Sequence, residues 1–379
     1  MKKIRTAVIG LGFIGAAHVE ALRRLGNVEV VAICDPINPQ KKADAAGVPK
    51  SYSDYKALIA EEDLDFVHIC TPNFTHCEIS VYAMDHGVNV VCEKPMCVSM
   101  EEADLMVAKA KATGLVNGMN YHNRWYPMTA QLKEMVAANE LGPIHAIYGE
   151  FTQDWLLYDT DYNWRIESKQ SGQTLVVSDI GSHWMDLIEY VTGLEITEVF
   201  ADFKILHKIR KKTLGNVLTF SASTDQGNFE EVKVDTEDHA NVLFHFSNGA
   251  IGSVVLSQII PGHKARLSIT LAGLAESASW TSDRCNDLYL GKRGGYNQIF
   301  EKDPSLLTEN VRINSGYPGG HAEGFPDAIK NNLRAIYSEL GNPSQKPAYA
   351  NFETGRRELL LCDKILESSR RRQWVTVKH

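Results

Sequence analysis

The sequence predicts an α/β fold, an N-terminal doubly wound parallel sheet followed by a C-terminal α+β domain with a mostly antiparallel open sheet. Three observations lead there. Short β-branched runs alternate with helical patterns over the first third of the chain. A Gly10-x-Gly12-x-x-Gly15 loop joins the first run to the first helical pattern. Beyond about Arg124 the period changes to long segments of alternating apolar and polar residues. At 379 residues the chain exceeds the usual limit of one core, so two domains are expected, at 1–123 and 124–379.

The first run flows through Ala7-Val8-Ile9-Gly10-Leu11-Gly12-Phe13-Ile14-Gly15 into a helical pattern that ends at Gly26. In such a loop the first glycine permits the tight turn, the second lets backbone approach a pyrophosphate, and the third lets helix pack on strand. No Ser, Thr, Asp or Asn precedes the helix as a cap, as expected where a phosphate meets the terminal amides. The second run, 28–34, delivers Asp35 about twenty residues on, where a carboxylate can accept both ribose hydroxyls of an adenosine. Further strands are expected at 65–70, 88–92 and 115–120, and Ser99-x-x-Glu102 is a capping box opening a helix to Thr113.

Strands separated by helices need right-handed crossovers and pair in parallel, so a ligand crevice forms beyond their carboxyl ends. Those ends carry Gly10, Asp35, Cys70-Thr71-Pro72-Asn73, Glu93-Lys94-Pro95 and Asn120-Tyr121. The second domain is expected to hold helices at 128–139 and 179–191 and strands at 144–151, 199–205, 240–246, 250–259 and 267–272. Asn248-Gly249 marks a hairpin. Helices are expected on one face of this sheet, and 206–237 and 291–320 read as loop-rich rims over a site or at a subunit contact.

Lys plus Arg number 39 against 47 Asp plus Glu, a net charge of −8, which argues against a nucleic-acid or anionic-membrane partner. The clusters at 207–212 and 370–372 read as solvated charge. No apolar run approaches the ~20 residues of a membrane helix, and Met1-Lys2-Lys3 leads into a strand instead of a signal core. A cytoplasmic protein is expected. Seven cysteines without a C-x-x-C pair read as reduced core thiols, not as a disulfide frame or zinc knuckle.

Lys94 stands at a strand end before a proline, which restricts the preceding backbone to extended geometry. Beside an oxidised nicotinamide, desolvation and a neighbouring positive charge would favour its neutral, basic form; the plain alternative is a surface lysine. Asp179, His183 and Asp186 lie at spacings of four and three along one side of a helix. They could bind a metal, satisfy a buried histidine, or serve proton transfer at a hydroxyl carbon. Thr71-Pro72-Asn73 with His76 could border a nucleotide or be a helix-starting turn. Trp155 and Asp161-Tyr162-Asn163-Trp164-Arg165 mix aromatic faces with polar groups, as sugar pockets and cores both do. His321, after Gly319-Gly320, reaches a pocket or sits in a turn.

Taken together, the glycine loop, the Glu93-Lys94-Pro95 triplet and Asp179-x-x-x-His183 resemble the Gfo/Idh/MocA family of nicotinamide-dependent oxidoreductases, in the family's order and over essentially the whole chain. The triplet and the helix motif carry more of the likeness than the glycines. The resemblance implies a Rossmann domain and a second domain for substrate binding and oligomerisation, whose open sheet forms a dimer or tetramer face. It implies a catalytic set of Lys94, Asp179 and His183, a cis peptide at Lys94-Pro95, and Trp164-Arg165 near the cofactor. Cofactor contacts are expected from Gly10, Gly12, Phe13, Ile14, Gly15, Asp35, Thr71, Pro72, Asn73, His76, Glu93 and Lys94, and substrate contacts from Asn120, Tyr121, Gln153, Trp155, Asp186 and His321. The glycine run often found before the aspartate is here Ser171-Gly172-Gln173-Thr174, a departure.

The implied reaction is hydride transfer between NAD and a secondary alcohol carbon of a sugar, inositol or glycoside, with no metal. Asp35 favours NAD over NADP because a 2′-phosphate would meet its charge, with Lys41 and Lys42 the counter-indication. Rival readings are an NAD-dependent glycosidase acting through transient oxidation, a non-catalytic NAD(H) sensor, and a metalloenzyme built on the Asp-His helix.

Overall fold

Apolar strand runs that are buried on both faces pair in parallel, and a computed structural model, which describes residues 3–213, 229–344 and 346–378, realises this pairing. β1 (Ile4–Ile9), β2 (Val28–Cys34), β3 (Lys50–Tyr52), β4 (Phe66–Ile69), β5 (Asn89–Cys92) and β6 (Asn117–Met119) lie in the order β3-β2-β1-β4-β5-β6, every pair parallel. The order reverses beside β1, which puts the ligand crevice at the glycine loop. β4 and β5 are buried throughout. β3 was not expected; it is a three-residue edge strand, partly exposed and too short to carry a periodic signal.

The capping box forms as expected: the Ser99 hydroxyl accepts from Glu102 N–H at 3.3 Å, and the helix Met100–Thr113 ends at Gly114, whose φ is +65°. Glu102 returns its carboxylate to Val98 N–H at 3.1 Å, one residue before the cap.

The chain divides into two compact units, 1–125 with 325–359 and 126–324 with 360–379. The expected boundary at 123/124 falls two residues from this division, but 325–359, expected in the second domain, packs in the first. The reason is amphipathic. Helix Phe325–Tyr337 carries Ile329, Leu333 and Ile336, all fully buried, at spacings of four and three. They join a core with Val8, Val19, Leu22, Ile33, Phe66 and Val91. Gly118 in β6 leaves the space that Ile336 occupies, since a Cβ there would stand 2.5 Å from Ile336 Cδ1.

In the second unit, the described strands are β7 (Ile144–Gln153), β8 (Ile196–Lys204), β9 (Ile209–Thr213), β10 (Phe229–Lys233), β11 (His239–Phe246), β12 (Ile251–Ser257), β13 (Lys264–Gly273), β14 (Ser277–Thr281), β15 (Asp287–Gly291), β16 (Gln298–Glu301) and β17 (Val375–Thr376). Nine form one sheet, ordered β16-β15-β14-β13-β7-β12-β11-β8-β17. It is mostly antiparallel as expected, with β7 and β12 its one parallel pair among the described residues. β11 and β12 meet at the Asn248-Gly249 turn, where Gly249 takes φ +86°. β9 and β10 pair antiparallel inside the stretch read as loop-rich, so 206–237 is not simply a rim; its residues 214–228 lie outside the described ones. In 291–320, β16 and a short helix, Glu309–Arg312, interrupt the expected loop.

Alternation sorts the faces of the large sheet. Ala240, Val242, Phe244 and Phe246 are buried. The register places Leu243, Val255, Ile251, Tyr148, Tyr289 and Ile299 together on the other face, all exposed. No helix among the described residues is long and apolar enough to cross a membrane.

Leu333 is fully buried in the first unit's core. Leu333→Ala is expected to cost about 2–5 kcal/mol of stability, read from denaturant unfolding; an unchanged midpoint would place the helix outside that core.

Candidate active site

Gly10 follows β1 with φ +87°, and a Cβ there would stand 2.6 Å from the Cys70 carbonyl oxygen. Gly15 is tighter still, since its Cβ would lie 2.1 Å from the Gly10 carbonyl oxygen. A Cβ on Gly12 would meet nothing within 4 Å. So the first and third glycines are steric requirements of strand and helix, while the second leaves open space over the backbone. Gly12 caps helix Phe13–Arg23 with no side-chain hydrogen bond. This cradle fits a dinucleotide pyrophosphate: clear backbone beside amides at the positive end of a helix dipole. Phe13 is exposed and stacks on Phe325, centroids 6.3 Å apart, and Ile14 is half-buried.

Asp35 stands at the end of β2, 6% exposed. Its Oδ2 accepts from Leu11 N–H and its Oδ1 from Ile37 N–H, each at 2.9 Å. The carboxylate therefore also tethers the glycine loop. Lys42 ion-pairs with it at 2.6 Å, placing the counter-indicating lysine on Asp35 itself.

At the ends of β4 and β5 the structure joins several predicted residues and turns some of them inward. His76, 1% exposed, spans the Thr71 carbonyl at 2.8 Å and the Pro95 carbonyl at 3.0 Å. Expected as a cofactor contact, it ties the Thr71-Pro72-Asn73 turn to the Glu93-Lys94-Pro95 turn. Asn73 is buried, while Thr71 and Pro72 are half-buried. Glu93 is likewise turned in: its Oε1 accepts from Asn120 Nδ2 at 2.6 Å and lies 2.9 Å from His18 Nε2, and its Oε2 accepts from Lys94 N–H at 3.2 Å. Burial alone would raise the Glu93 carboxyl, but the His18 bond and charge, the Lys94 charge and the Asn120 amide outweigh it and lower it to about 2. Asn120 and Tyr121, expected at the substrate, are each 1% exposed; Asn120 serves Glu93 from inside the unit. Lys94 is half-buried, and the Lys94–Pro95 peptide is cis.

In the second unit Asp179 does not sit on the regular helix its spacing suggested. Val177–Gly181 forms a π-helical turn, with Ser182 N–H donating to the Val177 carbonyl, before the α-helix Ser182–Thr192 begins. The wider turn breaks the 3.6-residue register between Asp179 and His183, a distortion common where function needs a side chain re-aimed. Asp179 Oδ2 accepts from Gln258 Nε2 at 2.7 Å, and Oδ1 lies 3.6 Å from Arg165 Nε. Arg165 in turn stacks on Trp164, 4.5 Å from the ring centroid. His183 is 5% exposed, its ring 6.2 Å from that of Phe151. Asp186, expected at the substrate, is 1% exposed and stands inside the unit. Gln153 accepts from Trp155 Nε1 at 2.9 Å, joining two residues predicted for the pocket. His321 is exposed in a turn, its Nδ1 3.3 Å from the Gly319 carbonyl. Among the described residues no group of three or more His, Cys, Asp or Glu gathers as a metal site.

The residues missed from sequence are those that hold these turns. Thr236, Glu237 and Asp238, all 2% exposed or less, anchor three loops. Thr236 Oγ1 donates to the Ile166 carbonyl at 3.1 Å, behind Trp164 and Arg165. Glu237 Oε1 accepts from Leu175 N–H at 3.0 Å and Val177 N–H at 2.9 Å, and its carbonyl accepts from Val176 N–H at 3.2 Å, so one residue takes three successive amides leading into the Asp179 turn. Asp238 pairs with Arg210 at 3.2 Å, both side chains 1% exposed. The Arg210 guanidinium also donates to the carbonyls of Leu156, Tyr158 and Asp161, gripping the aromatic segment. In sequence this acidic tripeptide has the composition of a solvated loop, and nothing local marks it as buried.

Comparison with known proteins follows this division. Residues 4–121 match the model of an oxidoreductase family with an NAD-binding Rossmann fold, and 129–278 match the GFO/IDH/MocA C-terminal domain. Levoglucosan dehydrogenase of Pseudarthrobacter phenanthrenivorans is 26% identical, covering 100% of this chain and 99% of its own length. The NAD(+)-dependent scyllo-inositol 2-dehydrogenase of Bacillus subtilis is 28% identical over 70% of this chain and 71% of its own. A solved levoglucosan dehydrogenase in complex with NADH and L-sorbose superposes with a TM-score of 0.88 at 23% identity, each chain covered in full.

Burial pushes the Glu237 carboxyl up to about 7, beyond what the amides of Val177 and Leu175 pull down. A carboxyl raised on folding contributes stability that is complete below its ordinary value and is lost as pH rises through about 7. Glu237→Gln is expected to flatten the fall in stability between mildly acidic and slightly alkaline pH, a difference of at most about 3 kcal/mol. Urea unfolding at both ends of that range checks it; an unaltered slope would assign the dependence elsewhere.

Proposed function

The chain belongs to the Gfo/Idh/MocA oxidoreductase family, whose N-terminal domain is an NAD-binding Rossmann fold, and from that premise we propose that it is a dehydrogenase acting on a secondary alcohol carbon of a sugar, inositol or glycoside with NAD. The observation that carries the reading is Asp179, presented on a wide turn, held by Gln258 and Arg165, and followed by the buried His183. An acid–base group aligned by a carboxylate is what proton exchange with a hydroxyl requires.

When bound, NAD supplies the carbon that accepts the hydride. Gly10, Gly12 and Gly15 shape the pyrophosphate cradle. Asp35 receives the adenosine ribose, and its charge disfavours a 2′-phosphate. His183 exchanges the hydroxyl proton, Lys94 hydrogen-bonds the same oxygen and shares that proton, and Asp179 orients them. Trp155, Tyr162 and Trp164 offer aromatic faces with polar edges, which suits a pyranose or an inositol. Levoglucosan and scyllo-inositol, named for two relatives, are of this class. The exposed apolar face bearing Tyr148, Leu243, Ile251 and Tyr289 supports a homo-oligomer, dimer or tetramer, and the reading places the enzyme in the cytoplasm.

NADH formation is expected with NAD over a panel of inositols, aldoses and glycosides, and Lys94→Ala should lower kcat by about 100- to 10,000-fold. Glycoside cleavage with retained cofactor and no net NADH would replace the dehydrogenase with a glycosidase. Asp35→Ala should weaken NAD binding by about 10- to 100-fold and narrow the preference over NADP, read by cofactor titration of protein fluorescence; an unchanged preference would remove Asp35 from the ribose.

A further inference from the structure

Four buried side chains that the proposed chemistry does not use form one hydrogen-bonded chain in the first unit. His18 lies on helix Phe13–Arg23, His68 in β4, Thr6 in β1 and Tyr337 on helix Phe325–Tyr337. His18 and His68 meet Nδ1 to Nδ1 at 2.7 Å, and His68 Nε2 lies 2.8 Å from the Tyr337 hydroxyl. That hydroxyl donates to Thr6 Oγ1 at 2.9 Å, and Thr6 Oγ1 donates to the Phe66 carbonyl at 3.1 Å. At the other end His18 Nε2 stands 2.9 Å from Glu93 Oε1 and 3.1 Å from Asn120 Nδ2. Thr6, His18 and His68 are fully buried, and Tyr337 is 5% exposed.

Counting hydrogens gives the chain a direction. A carbonyl only accepts, so the Thr6 hydrogen points to Phe66, and the one hydrogen of Tyr337 goes to Thr6. His68 must then carry its hydrogen on Nε2 and donate to Tyr337, leaving Nδ1 as an acceptor. Burial, with His18 beside it, holds His68 well below the ordinary imidazole value, and burial keeps the Tyr337 phenol protonated. The short contact with an accepting His68 Nδ1 requires the hydrogen on His18 Nδ1. Each assignment forces the next, back to the nitrogen that faces Glu93.

We propose that His18 is a positioning residue for the Glu93-Lys94-Pro95 turn: the chain fixes a hydrogen on its Nδ1 and turns its Nε2 to share one proton with Glu93. Glu93 is thereby held at both ends, Oε1 by His18 and Asn120 and Oε2 by the Lys94 N–H. The ring's orientation thus reaches the backbone of the residue assigned to the substrate hydroxyl. With the ring turned over, a carbon would face Glu93, and Oε1 would keep only Asn120. The proposal rests on the role given to Lys94, but the chain itself is tested without turnover.

The test is nitrogen-15 NMR of the full-length protein with labelled histidine, signals assigned with His18→Gln and His68→Gln. His68 is expected as the neutral ring with hydrogen on Nε2, and His18 with hydrogen on Nδ1. Tyr337→Phe removes the acceptor beyond His68; both signals should move, and kcat should fall about tenfold with KM for the substrate unchanged. A His18 whose only hydrogen is on Nε2 would overturn the proposal. So would a folded Tyr337→Phe protein that loses stability while both histidine signals and kcat stay put, the pattern of a merely structural role. The nitrogen signals decide the chain even if no sugar or inositol turns over, a result that would instead count against the dehydrogenase reading.

Discussion

The contact on which the first unit depends is between Gly15 and Gly10, where a helix begins so close to the end of a strand that a methyl group would lie 2.1 Å from a carbonyl oxygen. That approach sets the first turn of helix Phe13–Arg23 over the carboxyl end of β1 and points its N-terminal amides at the crevice. It also determines where His18 falls, one turn further along the same helix. Anion cradle and buried support for Glu93 are two consequences of one close packing. Asp35 closes the arrangement from the end of β2, since it bonds the loop's own Leu11 N–H.

The second unit solves a different problem. Asp179 sits in a π-helical turn, which has poorer hydrogen-bond geometry than an α-helix and persists only where its surroundings specify it. Glu237 supplies that specification by taking three successive amides at the entrance to the turn. Its neighbours Thr236 and Asp238, the latter through Arg210, fix the segments that carry Trp164, Arg165 and the aromatic residues before them. A buried Arg-Asp pair is weak evidence for net stability, since desolvation offsets much of the attraction. Its four hydrogen-bond acceptors argue instead for specificity of loop conformation. Asp179, Trp164 and Arg165 are thus mounted on irregular backbone made rigid by buried polar bonds.

What could be read in the chain alone was whatever local pattern controls. Alternation of period gave the two kinds of sheet, because a strand buried on both faces and a strand buried on one differ in composition. Glycines gave the cradle, because only they tolerate the φ and the contacts at Gly10 and Gly15. The triplet, the Asp-His pair and the family they resemble followed from residue identity, and the family models match over both domains. Helix Phe325–Tyr337 was misassigned to the second domain because its amphipathic stripe says that it is buried, not against what.

Tertiary structure decided the rest. Asn120, Asp186 and His76 are polar residues at places where a ligand would be expected, yet all are 1% exposed. A polar side chain turns inward when buried partners satisfy it, and for Asn120 those partners come from distant sequence. Asn120 meets Glu93 and His18, and His76 meets the backbone at Thr71 and Pro95. The link from His18 through His68 to Tyr337 joins positions 50 and 269 residues apart. Periodicity and motif report local backbone preference and the chemistry of single residues; which polar groups pair is set by distances that exist only once sheets and helices have packed.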